Sequence, residues 1–173
     1  MRNLQRRAIL LSLARALVLL AGCGFQLRGA YSLPYESLYL SMPEYSDLGA
    51  GLKRAIRASG STRLADTESD AQARFIPSTD LREKVILSLS GTGRVRELRL
   101  RWRYGYRIVD SKGLNLVAPV EIELTRDLTY DDSNVLAKEQ EEALLWRDMQ
   151  GDMVQQVMRR LSAAKLIPAA LAE

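Results

Sequence analysis

The chain carries one cysteine, Cys23, and no histidine. A lone thiol can form neither an internal disulfide nor a Cys-based zinc site. Without imidazole, Ser-His and Cys-His catalysis are excluded, and the commonest transition-metal ligand is missing. Two other groupings invite a chemical reading. Asp131-Asp132 could be taken as a metal pair, but adjacent acids just ahead of a helix serve more often as caps. Gly91-Thr92-Gly93 is too short for a phosphate-binding loop and joins two strands rather than a strand and a helix. No catalytic constellation, metal site or cofactor is expected, and no motif supports a Ser-Lys hydrolase. Three cations lack an acidic partner in the pattern set out below: Arg94, Arg96 and Lys138. They are the candidates for contact with an anion, which arginine grips through paired hydrogen bonds.

The thiol has a covalent future of another kind. Arg2, Arg6 and Arg7 lead into fifteen mostly apolar residues, 8–22. As a helix these would rise about 22 Å, short of the ~30 Å hydrocarbon core of a bilayer. Arg15 interrupts them as well. A cleaved secretory leader fits better than a membrane span. It closes with Leu20-Ala21-Gly22-Cys23, which resembles a bacterial lipobox. That resemblance implies cleavage between Gly22 and Cys23, a diacylglycerol on the thiol and a third chain on the freed amine. One acyl chain holds a protein only marginally at about 0.8 kcal/mol per methylene, whereas several hold it durably. Gly24 rather than Asp follows, which by resemblance to lipoprotein sorting implies the outer membrane.

Charge points the same way. The chain holds 25 Lys+Arg against 21 Asp+Glu. Four of those arginines fall in residues 1–22 with no acid, so the remainder balances at 21 against 21. A neutral domain gives no support to a nucleic-acid partner, which would require an excess of base. At 47% hydrophobic and 27% charged the composition is globular. The expected organisation is a leader over 1–22, a lipidated tether over 23–34 and one domain over 35–173.

The elements that must position the candidate residues follow from periodicity. Residues 38–42 alternate as a short strand, and Pro43 ends it. Ser46 or Asp47 can cap a helix to Ser59, with Leu48, Leu52 and Ile56 on one stripe and Gly60 as its stop. Residues 62–65 suit a short edge strand. From Ala73 the pattern is strand-like to about Tyr130, with Pro77 marking an edge or a bulge. Leu81, Val85, Leu87 and Leu89 are expected to continue the inward alternation. Leu98, Leu100, Trp102, Tyr104, Tyr106 and Ile108 share one face; Glu97, Arg99, Arg101, Arg103 and Arg107 share the other. The next strand places Leu114, Leu116, Ala118, Val120, Ile122 and Leu124 inward. Between them Ser111-Lys112-Gly113, with glycine third, suits a type I turn plus bulge. That turn pairs Asp110 with Leu114. Continued, its register sets Trp102 opposite Ile122, Tyr104 opposite Val120, Arg101 opposite Glu123 and Arg103 opposite Glu121. A long helix over about 133–164 repeats Leu145, Met149, Met153, Val157 and Leu161 at four-residue steps. The fold expected is α+β: a two-layer sandwich of an antiparallel-rich mixed sheet of about four strands, with two helices packed on one face.

These segments resemble one family. Cys23-Gly24-Phe25-Gln26-Leu27-Arg28 is similar to the mature start of the LPS-assembly lipoproteins of the LptE family. Gly93-Arg94-Val95-Arg96-Glu97 resembles their central hairpin. Residues 135–142 and Arg147-Asp148-Met149-Gln150 resemble the start and middle of their last helix. The resemblance implies a plug inside an LptD-type outer-membrane β-barrel, anchored by acyl chains, that binds lipopolysaccharide and assists its transport and the assembly of the barrel. It also implies a basic residue of the hairpin, Arg94 or Arg96, and Lys138 of the last helix as lipopolysaccharide contacts. The competing expectation is a generic outer-membrane lipoprotein, a scaffold or an accessory subunit of another export system, without lipopolysaccharide affinity.

Overall fold

A computed structural model describes residues 31–130 and 134–167. Gly22, Cys23, Asp131-Asp132 and Ser133 lie outside the described residues. In chain order the elements are β1 (Ser37–Leu40), α1 (Asp47–Ser59), β2 (Arg63–Leu64), β3 (Ala73–Leu89), β4 (Val95–Val109), β5 (Val120–Thr129) and α2 (Val135–Ser162). The sheet runs β2-β1-β3-β4-β5. β1 is parallel to β2 and β3, while β3, β4 and β5 form an antiparallel meander. Both helices pack on one face, giving the expected two-layer α+β sandwich. The sheet has five strands rather than about four, because two-residue β2 adds to β1 through Ser37↔Arg63 and Leu38↔Leu64.

Local chemistry accounts for α1. The Ser46 hydroxyl accepts the Gly49 N–H at 3.1 Å, and Gly60 closes the helix at φ 68°. Leu48, Leu52 and Ile56 are buried against the sheet. α2 buries Met149, Met153, Val157 and Leu161 with Val154 and Met158 beside them. Its earlier half stands out from the core, where Leu136 and Leu144 are exposed. Its first turn holds no acid, and Glu139, Glu141 and Glu142 follow further in. The core strand is β4, whose Leu98 to Ile108 alternation is buried as expected. Phe75 stacks on Tyr106 with ring centroids 4.7 Å apart. Each such fully buried side chain contributes roughly 1.5–3 kcal/mol.

Two expectations about the strands are corrected. The first concerns β3. Pro77 pairs with Tyr106 and Thr79 with Gly105, leaving Ser78 as an extra residue in a bulge. One extra residue reverses the alternation. Ala73 and Phe75 point to the core, but beyond the bulge the helix-facing side passes to Asp80, Arg82, Lys84 and Ile86, the register partners of Tyr104, Trp102, Leu100 and Leu98. Leu81 and Val85 therefore share the other face with Arg103 and Arg99, and Leu81 is 38% exposed. β1 has ended at Leu40 opposite Phe75, so this half of β3 is a sheet edge.

The second correction concerns β5. The turn forms as expected: the Asp110 N–H donates to the Leu114 carbonyl at 2.9 Å, and Gly113 has φ 87°. The Leu116 N–H still donates to Ile108. By Tyr106↔Val120 the register has slipped by two, so Trp102 faces Leu124 and Tyr104 faces Ile122. Arg103 lies opposite Glu123 and Arg101 opposite Thr125. Val117, Ala118 and Pro119 take up the slack, and Pro119 has no N–H for the ladder. A slip of two keeps the side chains of β5 on their own face, so Ile122, Leu124 and Leu128 remain buried. Ahead of β5, Leu114 and Ala118, expected inward, are exposed and Val117 is buried instead.

Candidate functional site

The three candidate cations come together at one end of the sheet. The β3–β4 turn is a three-residue loop with glycine third: the Ser90 N–H donates to the Arg94 carbonyl at 2.6 Å, and Gly93 has φ 78°. The Ser90 hydroxyl braces the loop by accepting the Arg94 N–H at 3.0 Å. Arg94 and Arg96 are both exposed. Arg94 is engaged with a partner and is not a free cation, which corrects the expectation that both hairpin arginines lack one. Arg96 makes no side-chain ion pair or hydrogen bond among the described residues. Its carbonyl accepts the Tyr130 N–H at 2.8 Å, the last rung to the β5 side. Lys138, in the first turn of α2, reaches Thr129 Oγ1 at 3.4 Å. Thr129 is the register partner of Glu97, so Lys138 docks one residue along from Arg96. Lys138 also pairs with Glu141 at 2.9 Å, with its side chain 19% exposed. This end therefore offers an open guanidinium beside an ammonium already shared with a carboxylate.

Three of the outer-face arginines, Arg99, Arg101 and Arg103, are matched within the sheet, whereas Arg107 makes no ion pair among the described residues. Arg99 holds Asp127 through two hydrogen bonds of 2.7 and 2.8 Å. That pairing pulls the Asp127 carboxyl below its usual range and lifts the Arg99 guanidinium. Arg101 meets Glu83 of β3 at 3.0 Å, and Arg103 approaches the same carboxylate at 3.8 Å. The acids expected opposite them on β5 are not their partners, because the β5 register slips and Glu83 faces Arg101 directly. Exposed pairs of this kind contribute about 0–1 kcal/mol each. They tie the middle of this face together, while Arg107 and Glu121 remain without an ion pair among the described residues.

On the helix side, residues that periodicity assigned to the outside carry the joint between sheet and α2. The Arg82 guanidinium stacks over Trp102 at 4.0 Å from the ring centroid and lies 5.7 Å from Trp146. Buried Trp102 donates its indole N–H to Asp80 at 2.7 Å. Lys84 ties β3 to Glu142 of α2 at 2.7 Å, and Arg126 ties β5 to Asp152. Pro77 was the one sequence signal for this arrangement, as the mark of a bulge. Burial pushes the Tyr35 and Tyr106 phenols up to about 12 and the Tyr104 phenol higher still. Among the described residues Tyr104 donates only to the Met42 thioether, at 3.9 Å.

Among the described residues there is no group of three His, Cys, Asp or Glu that could hold a metal. No helix among them is long and apolar enough to cross a membrane.

Comparison with known proteins places this geometry. The chain is similar to LPS-assembly lipoprotein LptE of Photorhabdus laumondii, 25% identical over 162 residues that cover 91% of this chain and 87% of that protein. The LPS-assembly lipoprotein LptE of Yersinia pestis is 26% identical over 163 residues, covering 91% and 77%. Among solved structures, an uncharacterized lipoprotein B from Nitrosomonas europaea superposes with a TM-score of 0.70 at 40% identity, covering 81% of this chain and 91% of that one. A minor lipoprotein from Acinetobacter baumannii gives 0.65 at 26% identity, covering 79% and 98%. The family model described as lipopolysaccharide-assembly, LptE, matches residues 35–161, the whole of the sandwich from the residues before β1 almost to the end of α2. With sequence, fold and family model in agreement over that span, the chain belongs to the LptE lipopolysaccharide-assembly family.

Proposed function

We propose that the mature chain is an outer-membrane lipoprotein that lodges as a plug in the lumen of an LptD-type β-barrel. There it binds lipopolysaccharide and assists both its delivery to the outer leaflet and the assembly of the barrel. On this reading residues 1–22 are removed by cleavage between Gly22 and Cys23. Acyl chains on Cys23 anchor residues 23–34 as a tether, and residues 35–173 are the plug. The relatives named LPS-assembly lipoprotein support the process.

The observation that carries the plug reading is the bare outer face of β3, β4 and β5. The two helices of the described residues pack on the other side, Arg99, Arg101 and Arg103 meet Asp127 and Glu83 within the sheet, and Leu81, Leu87 and Leu89 stay exposed along an open strand edge. An open edge bearing apolar side chains is a hazard for a free protein and is relieved inside an enclosing wall. At the hairpin end, Arg96 and Lys138, with Arg94 beside them, suit the phosphates of lipid A. No step of this role needs a nucleophile, a metal or a cofactor.

The test is a pull-down of tagged full-length chain from solubilised outer membrane. Recovery of a large barrel protein is expected; its consistent absence refutes the plug. Lipopolysaccharide affinity of the full chain is expected to fall about tenfold for Arg96→Ala and for Lys138→Ala, the scale of a lost charge-assisted hydrogen bond. Unchanged affinity in both removes the hairpin end from that role.

A further inference from the structure

Concavities of the described surface differ in the charge that lines them, as three of them show. One of about 320 Å³ mixes Glu44 and Asp66 with Lys53 and Arg57. A second, of about 390 Å³ at the start of α1, mixes Asp47 and Asp80 with Arg82. The third, of about 480 Å³, runs between α1 and α2 and carries charge of one sign. Gly51, Ala55, Gly151 and Val154 form its floor, Arg54 and Arg147 stand on opposite helices at its rim, and no acidic residue lines it. Neither guanidinium makes an ion pair or hydrogen bond among the described residues. In contrast, Arg74, Arg99, Arg101, Arg103 and Arg126 each meet a carboxylate.

The two glycines on the floor have different reasons to be glycine. A Cβ on Gly51 would come within 2.8 Å of Val154 Cγ2, so glycine permits the close approach of the helices. A Cβ on Gly151 would meet nothing within 4 Å. Gly151 lies in the interior of a 28-residue helix, where glycine is destabilising relative to alanine. Neither packing nor backbone geometry requires it. What the missing side chain provides is open volume above an apolar floor, between two unmatched cations.

We propose that this groove binds an amphiphile with one apolar chain and a phosphate head, the chain lying on the floor and the phosphate held between Arg54 and Arg147. The volume falls within the roughly 300–1,000 Å³ of small-molecule sites. The guanidinium fork matches phosphate oxygens, and the single sign of charge excludes cationic and favours anionic heads. This site is separate from the hairpin end: Arg147 lies nine residues beyond Lys138 on α2, roughly 13 Å along the axis at 1.5 Å per residue. The proposal does not rest on the lipopolysaccharide role of that end.

The test uses the purified full chain in nanodiscs of neutral phosphatidylcholine. The probe is dodecyl phosphate with a photoreactive tail, and labelled peptides are mapped by mass spectrometry. Label is expected within residues 51–58 and 147–155. Excess dodecyl phosphate should compete it away; dodecanol and inorganic phosphate should not. Dodecanoate should compete more weakly, and equal competition by dodecanol overturns the charge argument. Arg54→Gln and Arg147→Gln should each lower labelling about tenfold, as expected for loss of a charge-assisted contact. Gly151→Leu should abolish labelling while leaving the thermal midpoint unchanged or raised, since it fills the groove and improves the helix. Label elsewhere, or labelling indifferent to these variants, overturns the proposal. So does its loss in Arg96→Ala/Lys138→Ala, which would make the groove part of the hairpin site.

Discussion

Gly105→Ala tests the bulge on which the helix-facing side of β3 depends. Gly105 pairs with Thr79 beside the extra residue Ser78. A Cβ at position 105 would lie 2.7 Å from Ser78 Oγ and 3.2 Å from both Thr79 Cβ and Thr79 Oγ1. Ser78 is exposed and can turn its hydroxyl aside, at a cost of about 0.5–1.5 kcal/mol if it leaves its rotamer well. Thr79 has no such freedom, because it is β-branched and both of its near atoms crowd the new methyl. The backbone must yield there, and overpacking of this kind costs about 1–3 kcal/mol. Removing a glycine from a strand returns about 0.5–1 kcal/mol. The net expectation is a loss of about 1–2 kcal/mol. At about 2–4 °C per kcal/mol for a domain of this size, thermal unfolding followed by circular dichroism should show a midpoint lower by roughly 2–8 °C. Ser78→Gly in the same chain should recover the part due to the hydroxyl and leave the part due to Thr79. A raised midpoint in Gly105→Ala, uncoupled from Ser78→Gly, is what an unbulged strand would give. It would refute the reversal of alternation in β3.

Asp80→Ala strands the buried indole N–H of Trp102 and should cost about 1–3 kcal/mol in urea unfolding; Asp80→Asn, which keeps an acceptor, should recover most of it. Gly151→Ala adds a methyl in open space and should stabilise by about 1 kcal/mol, whereas Gly60→Ala, at φ 68°, should destabilise by about 1 kcal/mol, both read from thermal midpoints. Burial raises the phenols of Tyr35, Tyr104 and Tyr106 above 10, so the unfolded chain releases these protons first as pH rises. Their contribution to stability is complete below pH 10; that of Tyr35 and Tyr106 is lost between about pH 10 and 12, and that of Tyr104 at higher pH still. A spectrophotometric titration should show these three ionising late, together with unfolding, and early reversible ionisation of all seven tyrosines would contradict their burial.

The resemblance of the hairpin and last helix brought Arg96 and Lys138 forward as a pair, and the fold does bring their strands and helix to one end. Residue type alone was silent on whether each cation was already spoken for. Among the described residues Arg94 and Lys138 have partners and Arg96 does not, a matter of how the side chains are arranged in the fold. Nothing in the local sequence links Arg54 with Arg147, which lie on two helices 93 residues apart. Only the packing of α1 on α2 sets them on one groove.

Local spacing was enough for the caps of α1, the apolar stripes of both helices, the inner face of β4 and the two glycine-closed turns, because each depends on residues a few positions apart. The family, too, was legible from short segments. Tertiary structure alone decided the reversal in β3, where Leu81 and Val85 keep a period of two that looks inward yet falls on the outside after one extra residue. It also decided the pairing of β5. Within β5 a slip of two residues leaves each side chain on its own face, so a pattern of period two cannot register it, and the partner of Arg101 passes from β5 to Glu83 of β3. Alternation records which side a residue faces; only the neighbouring strand determines whom it meets.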